Sequence, residues 1–154
     1  VNAFGCKKTD CVYGNLVFVD SAKPDKIVRR WIGSQHTPGA FLKGWHPAHP
    51  TFYARRTCFE QYGDFDLSFE ISADFELMLR FIEKNGCSNY YINRCFVKMR
   101  QGGASTGSIK NIIKGNKNIL RAFRKNGYHI SCLYPAKRLL PKLINVITTQ
   151  IRLE

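Results

Sequence analysis

Between Gly44 and Arg80 the chain runs GWHPAHPTFYARRTCFEQYGDFDLSFEISADFELMLR, and its pattern changes from extended to helical within that stretch. A short run of His, Pro and aromatics leads to an Arg pair and a Gly63-Asp64-Phe65-Asp66 turn. Ser72-Ala73-Asp74 then opens an amphipathic helix. Phe75, Met78, Leu79 and Ile82 recur at i, i+3, i+4 and i+7, which predicts one buried stripe. Ser72 is the expected N-cap, and Asn85-Gly86 closes the helix. Glu76 and Arg80, four apart with the acid first, are expected to pair on its exposed side for a few tenths of a kcal/mol.

The flanking segments predict an α/β fold. Cys11–Val19 reads as a strand of β-branched and aromatic residues. A turn around Pro24 and a returning strand over Lys26–Ile32 make it a hairpin. Phe41–Lys43 reads as a helical turn. His49–Ala54 reads as a strand whose start Pro47 and Pro50 confine to a sheet edge. Arg56–Tyr62 reads as a short helix stopped by Gly63. Asn89–Arg100 reads as two short strands broken near Asn93, and residues 101–107 as a Gly-Gly-Ser-Thr loop. From Ser108 to Asn126-Gly127 a helix carries Ile109, Ile112, Ile113, Leu120 and Phe123 as its apolar face. After Pro135, Leu140, Leu143, Ile144, Ile147 and Ile151 keep helical spacing, with Pro141 starting or kinking that helix. The sum is a small mixed or antiparallel sheet flanked by helices, with a helical C-terminal extension.

Charge narrows the partners. The 154 residues carry a net charge of +13. Residues 108–154 hold ten basic side chains (Lys110, Lys114, Lys117, Arg121, Arg124, Lys125, Lys137, Arg138, Lys142, Arg152) against Glu154 alone, so +9 lies there. Such a tail suits lipid headgroups, nucleic acid or a diphosphate-bearing substrate, or it is a solvated helix face. Seven of the 11 carboxylates (Glu60, Asp64, Asp66, Glu70, Asp74, Glu76 and Glu83) instead cluster near the Gly44–Arg80 stretch. The six cysteines form no Cys-x-x-Cys pair, which argues against a zinc ribbon and fits reduced thiols in a cytoplasmic protein. A content of 44% hydrophobic and 13% aromatic residues supports a packed core. No apolar run approaches the roughly 20 residues that span a bilayer. A start at Val-Asn-Ala-Phe, without Met, is expected of an excised fragment or of a processed N-terminus.

The order His49-Pro-Thr-Phe-Tyr-x-Arg55-Arg56, then Tyr62-Gly-x-Phe-Asp66, then Ala73-Asp74-Phe-Glu-Leu-x-Leu-Arg80 resembles the second half of a family 2 glycosyltransferase catalytic domain of GT-A type. The resemblance extends from about Asp10 to about Ser105 and divides the chain. Residues 1–105 would be the acceptor-side half of that domain, and residues 106–154 a basic helical extension. It implies an inverting enzyme of surface polysaccharide biosynthesis. The donor would be a UDP-, GDP- or dTDP-linked sugar, and the acceptor a saccharide or a lipid-linked acceptor. Location would be cytoplasmic, peripheral at the inner face of the plasma membrane. The family's divalent cation, Mg²⁺ or Mn²⁺, is held by an Asp-x-Asp motif, and no such motif stands in the matching place here. Asp64-Phe65-Asp66 has the letters but lies just ahead of the helix. A half of this kind should be inactive alone.

Asp74 matches the family's general base, a carboxylate that accepts the acceptor hydroxyl's proton. Its structural alternative is complementing the dipole of its helix. His46 and His49 are candidates for a divalent metal, the diphosphate or the acceptor entrance, or are two exposed loop histidines. His49 matches the family's histidine and is the favoured of the two; with the Asp-x-Asp motif absent no metal site is expected, His49 remaining the candidate ligand. Arg55 and Arg56 either contact the donor phosphates or pair with Asp64 or Asp66. Trp45 is either acceptor surface or core. Gly63, Phe65 and Asp66 read as a structural turn. The rival from another class is a basic module binding nucleic acid or an anionic membrane surface, although the chain lacks an aromatic-interleaved basic sheet.

Overall fold

A computed structural model describes residues 3–6, 8–100, 109–131 and 133–135. The chain is α/β, with a small, open, mixed sheet of four strands flanked by helices. β1 (Cys11–Val19) is central. β2 (Ile27–Trp31) pairs antiparallel with its second half, Leu16 opposite Trp31 and Phe18 opposite Arg29. β3 (Tyr53–Ala54) pairs antiparallel with Cys11 and Val12, so β2 and β3 share one edge of β1. β4 (Asn89–Arg100) runs parallel along the other edge. Residues 11–17 are buried without a break, which is why β1 reads as a nearly continuous apolar run rather than an alternating one.

The helices are α1 (Ala3–Cys6), α2 (Arg56–Tyr62), α3 (Ala73–Met78) and α4 (Ile109–Lys125). α2 stops where expected, at Gly63, whose φ of 86° suits glycine and whose N–H reaches the Phe59 carbonyl. α3 continues as a π-helical segment, Leu79–Lys84. Its predicted stripe is buried: Phe75, Met78, Leu79 and Ile82 pack with Ile119, Ala122 and Phe123 of α4 and with Tyr13 and Phe41. The opposite side is buried too, with Leu77 and Phe81 against Cys11, Cys58 and Cys87. Cys11, Cys58, Cys87 and Cys95 are free thiols. Burial pushes the Cys11 thiol up, and pushes Cys87 up to about 12.

Four expectations need correction. His49–Ala54 is not one strand: His49–Thr51 is a 3₁₀ turn, and only Tyr53–Ala54 pairs. Pro50 in the first turn presets that geometry, and the buried Thr51 hydroxyl bonds within it instead of extending. Asn89–Arg100 is a single strand, and the break near Asn93 is a bulge. Gly14 pairs with Ile92, and its neighbour Asn15 with Cys95. The Asn15 side chain holds the bulge by donating to Asn93 Oδ1 at 2.9 Å and accepting from Tyr91 OH at 2.6 Å. A side chain at Gly14 would meet Phe96 at 2.8 Å, so this crossing needs glycine. Ser72 does not cap α3 with its side chain. It sits in the left-handed region (φ 72°), and its hydroxyl reaches the Gly115 carbonyl at 3.4 Å.

The largest correction concerns Glu76 and Arg80. Their pair is internal, with Glu76 fully buried and Arg80 9% exposed. Arg80 Nη2 lies 3.1 Å from Glu76 Oε2. The rest of the guanidinium donates to the carbonyls of Tyr62, of Gly63 at 2.8 Å and of Asp64 at 2.7 Å. Glu76 also accepts from Asn126 Nδ2 at 3.1 Å. A helix buried on two faces has no exposed side on which to place the pair.

The expected loop over 101–107 and the helix after Pro135 lie outside the described residues. Among the described residues no helix is long and apolar enough to cross a membrane. Arg80→Met leaves the buried Glu76 carboxylate with Lys125 Nζ, 3.5 Å away, as its remaining counter-charge, and should cost about 3 kcal/mol. Urea unfolding measures this, and adding Glu76→Leu to the same chain should recover part of the loss.

Candidate functional site

The loop before β3 is built to hold its histidines still. Pro47 and Ala48 are buried, and Thr51 Oγ1 lies 2.8 Å from the Ala48 carbonyl and 3.0 Å from that of Gly14 in β1. It also accepts the Gly14 N–H at 3.3 Å. With the loop pinned to the central strand, His46 and His49 face the first turn of α3. His46 Nδ1 sits 2.9 Å from the Pro47 carbonyl. Its ring meets Trp31 and Phe75 edge-on, with centroids at 5.1 and 5.5 Å.

Asp74 meets this loop. His49 Nδ1 lies 2.9 Å from Asp74 Oδ2, and the two side chains remain 53% and 37% exposed, so the carboxylate is partnered but open. Two effects oppose each other at this group. Burial favours the neutral acid. The His49 hydrogen bond and charge, the Phe75 N–H and the nearby His46 favour the carboxylate, and they prevail, so the pKa falls below its ordinary value. The left-handed Ser72 turns the chain just ahead of α3, a conformation that non-glycine residues adopt at a cost and that concentrates at functional sites. With Nδ1 turned to Asp74, Nε2 is the His49 nitrogen left to meet a ligand. The arrangement can hold a proton acceptor in its ionised state beside an imidazole and an aromatic wall.

The other candidates lie elsewhere. Trp45 packs edge-on against Phe41 and Tyr13, with centroids at 5.6 and 5.8 Å, so it braces the core while staying partly exposed. Arg55 donates to the carbonyls of Thr9 at 2.7 Å and Phe4 at 2.5 Å, anchoring the N-terminal segment. Arg56 pairs with Glu60 at 2.9 Å on the surface. Neither arginine is brought to Asp74, and neither pairs with Asp64 or Asp66. Asp66 instead takes Lys125 at 2.7 Å and the Ser68 N–H at 2.9 Å, contacts that hold its carboxyl far below the usual range. The turn around it is structural: its Gly63 and Asp64 carbonyls are the acceptors of Arg80.

Two features of this neighbourhood carried no sequence signal. Trp31 ends β2 and walls His46, yet nothing in a strand-terminal tryptophan marks it. His36 and Glu83 form a partly buried pair at 3.0 Å, 47 residues apart. Glu83 also accepts the N–H groups of Gly39 at 2.5 Å and Phe41 at 3.3 Å, fastening the loop ahead of Trp45 to the π-helical segment. Among the described residues, no group of three or more His, Cys, Asp or Glu is placed to hold a metal ion. Among the described residues His49 has Asp74 as its neighbour and no third ligand beside it, so these side chains do not fit the cation that the resemblance implies.

No protein-family model matches the chain, and neither a curated protein nor a solved structure matches it.

The carboxylate's ionisation gives a test. The folded pKa of Asp74 lies below the ordinary 3.8, so its stabilising contribution is present above that pH and is lost as pH falls through the folded value. His49→Ala removes the strongest influence favouring the carboxylate while burial persists. The Asp74 pKa should rise in that variant, as read by carbon-detected NMR titration of the side-chain carboxyl, and acid should destabilise the variant less than the parent.

Proposed function

We propose that this chain is the acceptor-side portion of an inverting, GT-A-type glycosyltransferase in which Asp74 is the general base. The observation that carries the reading is the Asp74–His49 pair: a half-open carboxylate at the start of α3, 2.9 Å from an imidazole set on a rigid loop. The ordered pattern His49 to Arg56, Tyr62 to Asp66 and Ala73 to Arg80 supports the same assignment. So does a small mixed sheet with helices on its faces, which is compatible with that fold.

In the proposed reaction an acceptor hydroxyl attacks the anomeric carbon of a nucleotide-linked sugar. The new C–O bond forms as the bond to the diphosphate breaks, and the hydroxyl proton passes to the Asp74 carboxylate. A depressed pKa ensures that the carboxylate is empty at neutral pH. It makes a weak base in the ground state. The hydroxyl, however, becomes far more acidic as its oxygen bonds to carbon, so transfer is favourable when it is needed. His49 orients the acceptor-facing carboxylate and offers Nε2 to a substrate oxygen. His46 and Trp31 form a wall on which a sugar face can rest.

Donor binding belongs to residues other than those described. Arg55 and Arg56 are engaged elsewhere, so we assign them no role in catalysis. No step is routed through a divalent cation, because the described side chains do not provide its ligands.

In the full-length enzyme, Asp74→Asn should lower sugar transfer by about 10²- to 10⁴-fold with donor affinity retained. A radiolabelled transfer assay run beside equilibrium donor binding reads both quantities, and turnover near that of the parent removes Asp74 from the mechanism.

A further inference from the structure

The outward face of α4 has a composition that its packing does not explain. Gly115, Ile119, Ala122 and Asn126 form the side turned to the core. On the far side Lys110, Ile113, Lys117 and Arg124 recur at three-, four- and seven-residue spacing, while Leu120 beside them packs against the core. The helix contains no acidic residue. Ile112 and Ile113 remain 44% and 51% exposed at its N-terminal end. Lysines on the flank are held by the domain: Lys114 pairs with Glu70, and Lys125 with Asp66. Lys117 and Arg124 make no ion pair with a described residue, so their charge points outward unneutralised.

We propose that this face of α4 docks the protein on an anionic lipid bilayer. A helix lying in the interface needs apolar side chains to enter the headgroup boundary and cations to meet the lipid phosphates, and the exposed part of α4 carries both. Nucleic acid would satisfy the cations but would leave two isoleucines against phosphate and sugar, with no aromatic side chain on the stripe to stack on a base. The bilayer accounts for both residue types.

Orientation follows from the packing. Gly115, on the core-facing side of α4, accepts the Ser72 hydroxyl, two residues before Asp74. Docking by the opposite face would therefore set the start of α3 behind α4, one helix diameter (~10 Å) from the lipid surface. Resting on the transferase reading above, this favours an acceptor carried on a lipid over a freely diffusing saccharide.

The test uses the whole chain and needs no donor sugar. The protein should sediment with vesicles of phosphatidylcholine and phosphatidylglycerol and not with phosphatidylcholine alone, and rising salt should weaken the association. Lys117→Ala combined with Arg124→Ala should weaken it roughly thirty-fold, which is the ~2 kcal/mol expected when two basic groups leave an anionic surface. Ile112→Ser with Ile113→Ser should weaken it several-fold at constant charge. All four side chains are exposed, so circular dichroism should be unchanged. Equal sedimentation with neutral vesicles, indifference to both double variants, or retention of single-stranded RNA without vesicle binding would overturn the proposal. Asp74→Asn should sediment like the parent, so a failure of sugar transfer and a failure of docking are read separately.

Discussion

The buried Glu76–Arg80 pair is the joint on which this fold depends. One guanidinium ties α3 to three successive carbonyls at the end of α2, while the facing carboxylate takes Asn126 at the end of α4. Three segments distant in sequence thus meet at one buried carboxylate, which Arg80 and, at 3.5 Å, Lys125 both partner. Such a pair adds little net energy compared with apolar residues of the same size, because both charges leave water. Its effect is on uniqueness. A carboxylate without exposure favours arrangements that return its cations to it, and here those cations and Asn126 come from the segment after α3 and from the end of α4.

That placement is what makes a site of Asp74. α3 is held from its second turn onward by Glu76 and Arg80 and by two apolar clusters, one on either side. Its first turn is therefore fixed in space, and the left-handed Ser72 sets the direction from which the chain arrives. The opposing loop is fixed independently, by Thr51 on the central strand. Two rigid supports bring an imidazole and a carboxylate to 2.9 Å while leaving both partly in solvent. Functional geometry of this kind needs support behind each group, and here the support on one side is electrostatic and on the other a buried hydroxyl.

Local patterns carried much of the secondary structure. The hairpin of β1 and β2 follows from one apolar run, a turn and a second run. α2 ends at a glycine that the backbone needs, and the stripe of α3 is buried where periodicity puts it. The irregularity at Asn93 was legible as an interruption, but its form was not. A bulge differs from a strand break only in whether the neighbouring strand supplies partners, and Asn15 supplies them from 78 residues away. The 3₁₀ turn at His49–Thr51 escaped for a related reason. β-branched and aromatic neighbours favour extension, and the competing hydrogen bonds of Thr51 come from β1.

The amino-acid sequence by itself determined the α/β class, the helical stripe and the basic charge of the last third. Those properties depend on neighbours within a turn or two, which periodicity and composition report directly. Only the tertiary structure decided that Glu76 and Arg80 lie inside, that Arg55 reaches the carbonyls of Thr9 and Phe4, that Trp31 lies against His46 and that His36 and Glu83 pair. Burial and charge pairing depend on which surfaces the folded chain brings together across tens of residues, and a helix buried on two faces leaves no mark in a pattern that one face already explains.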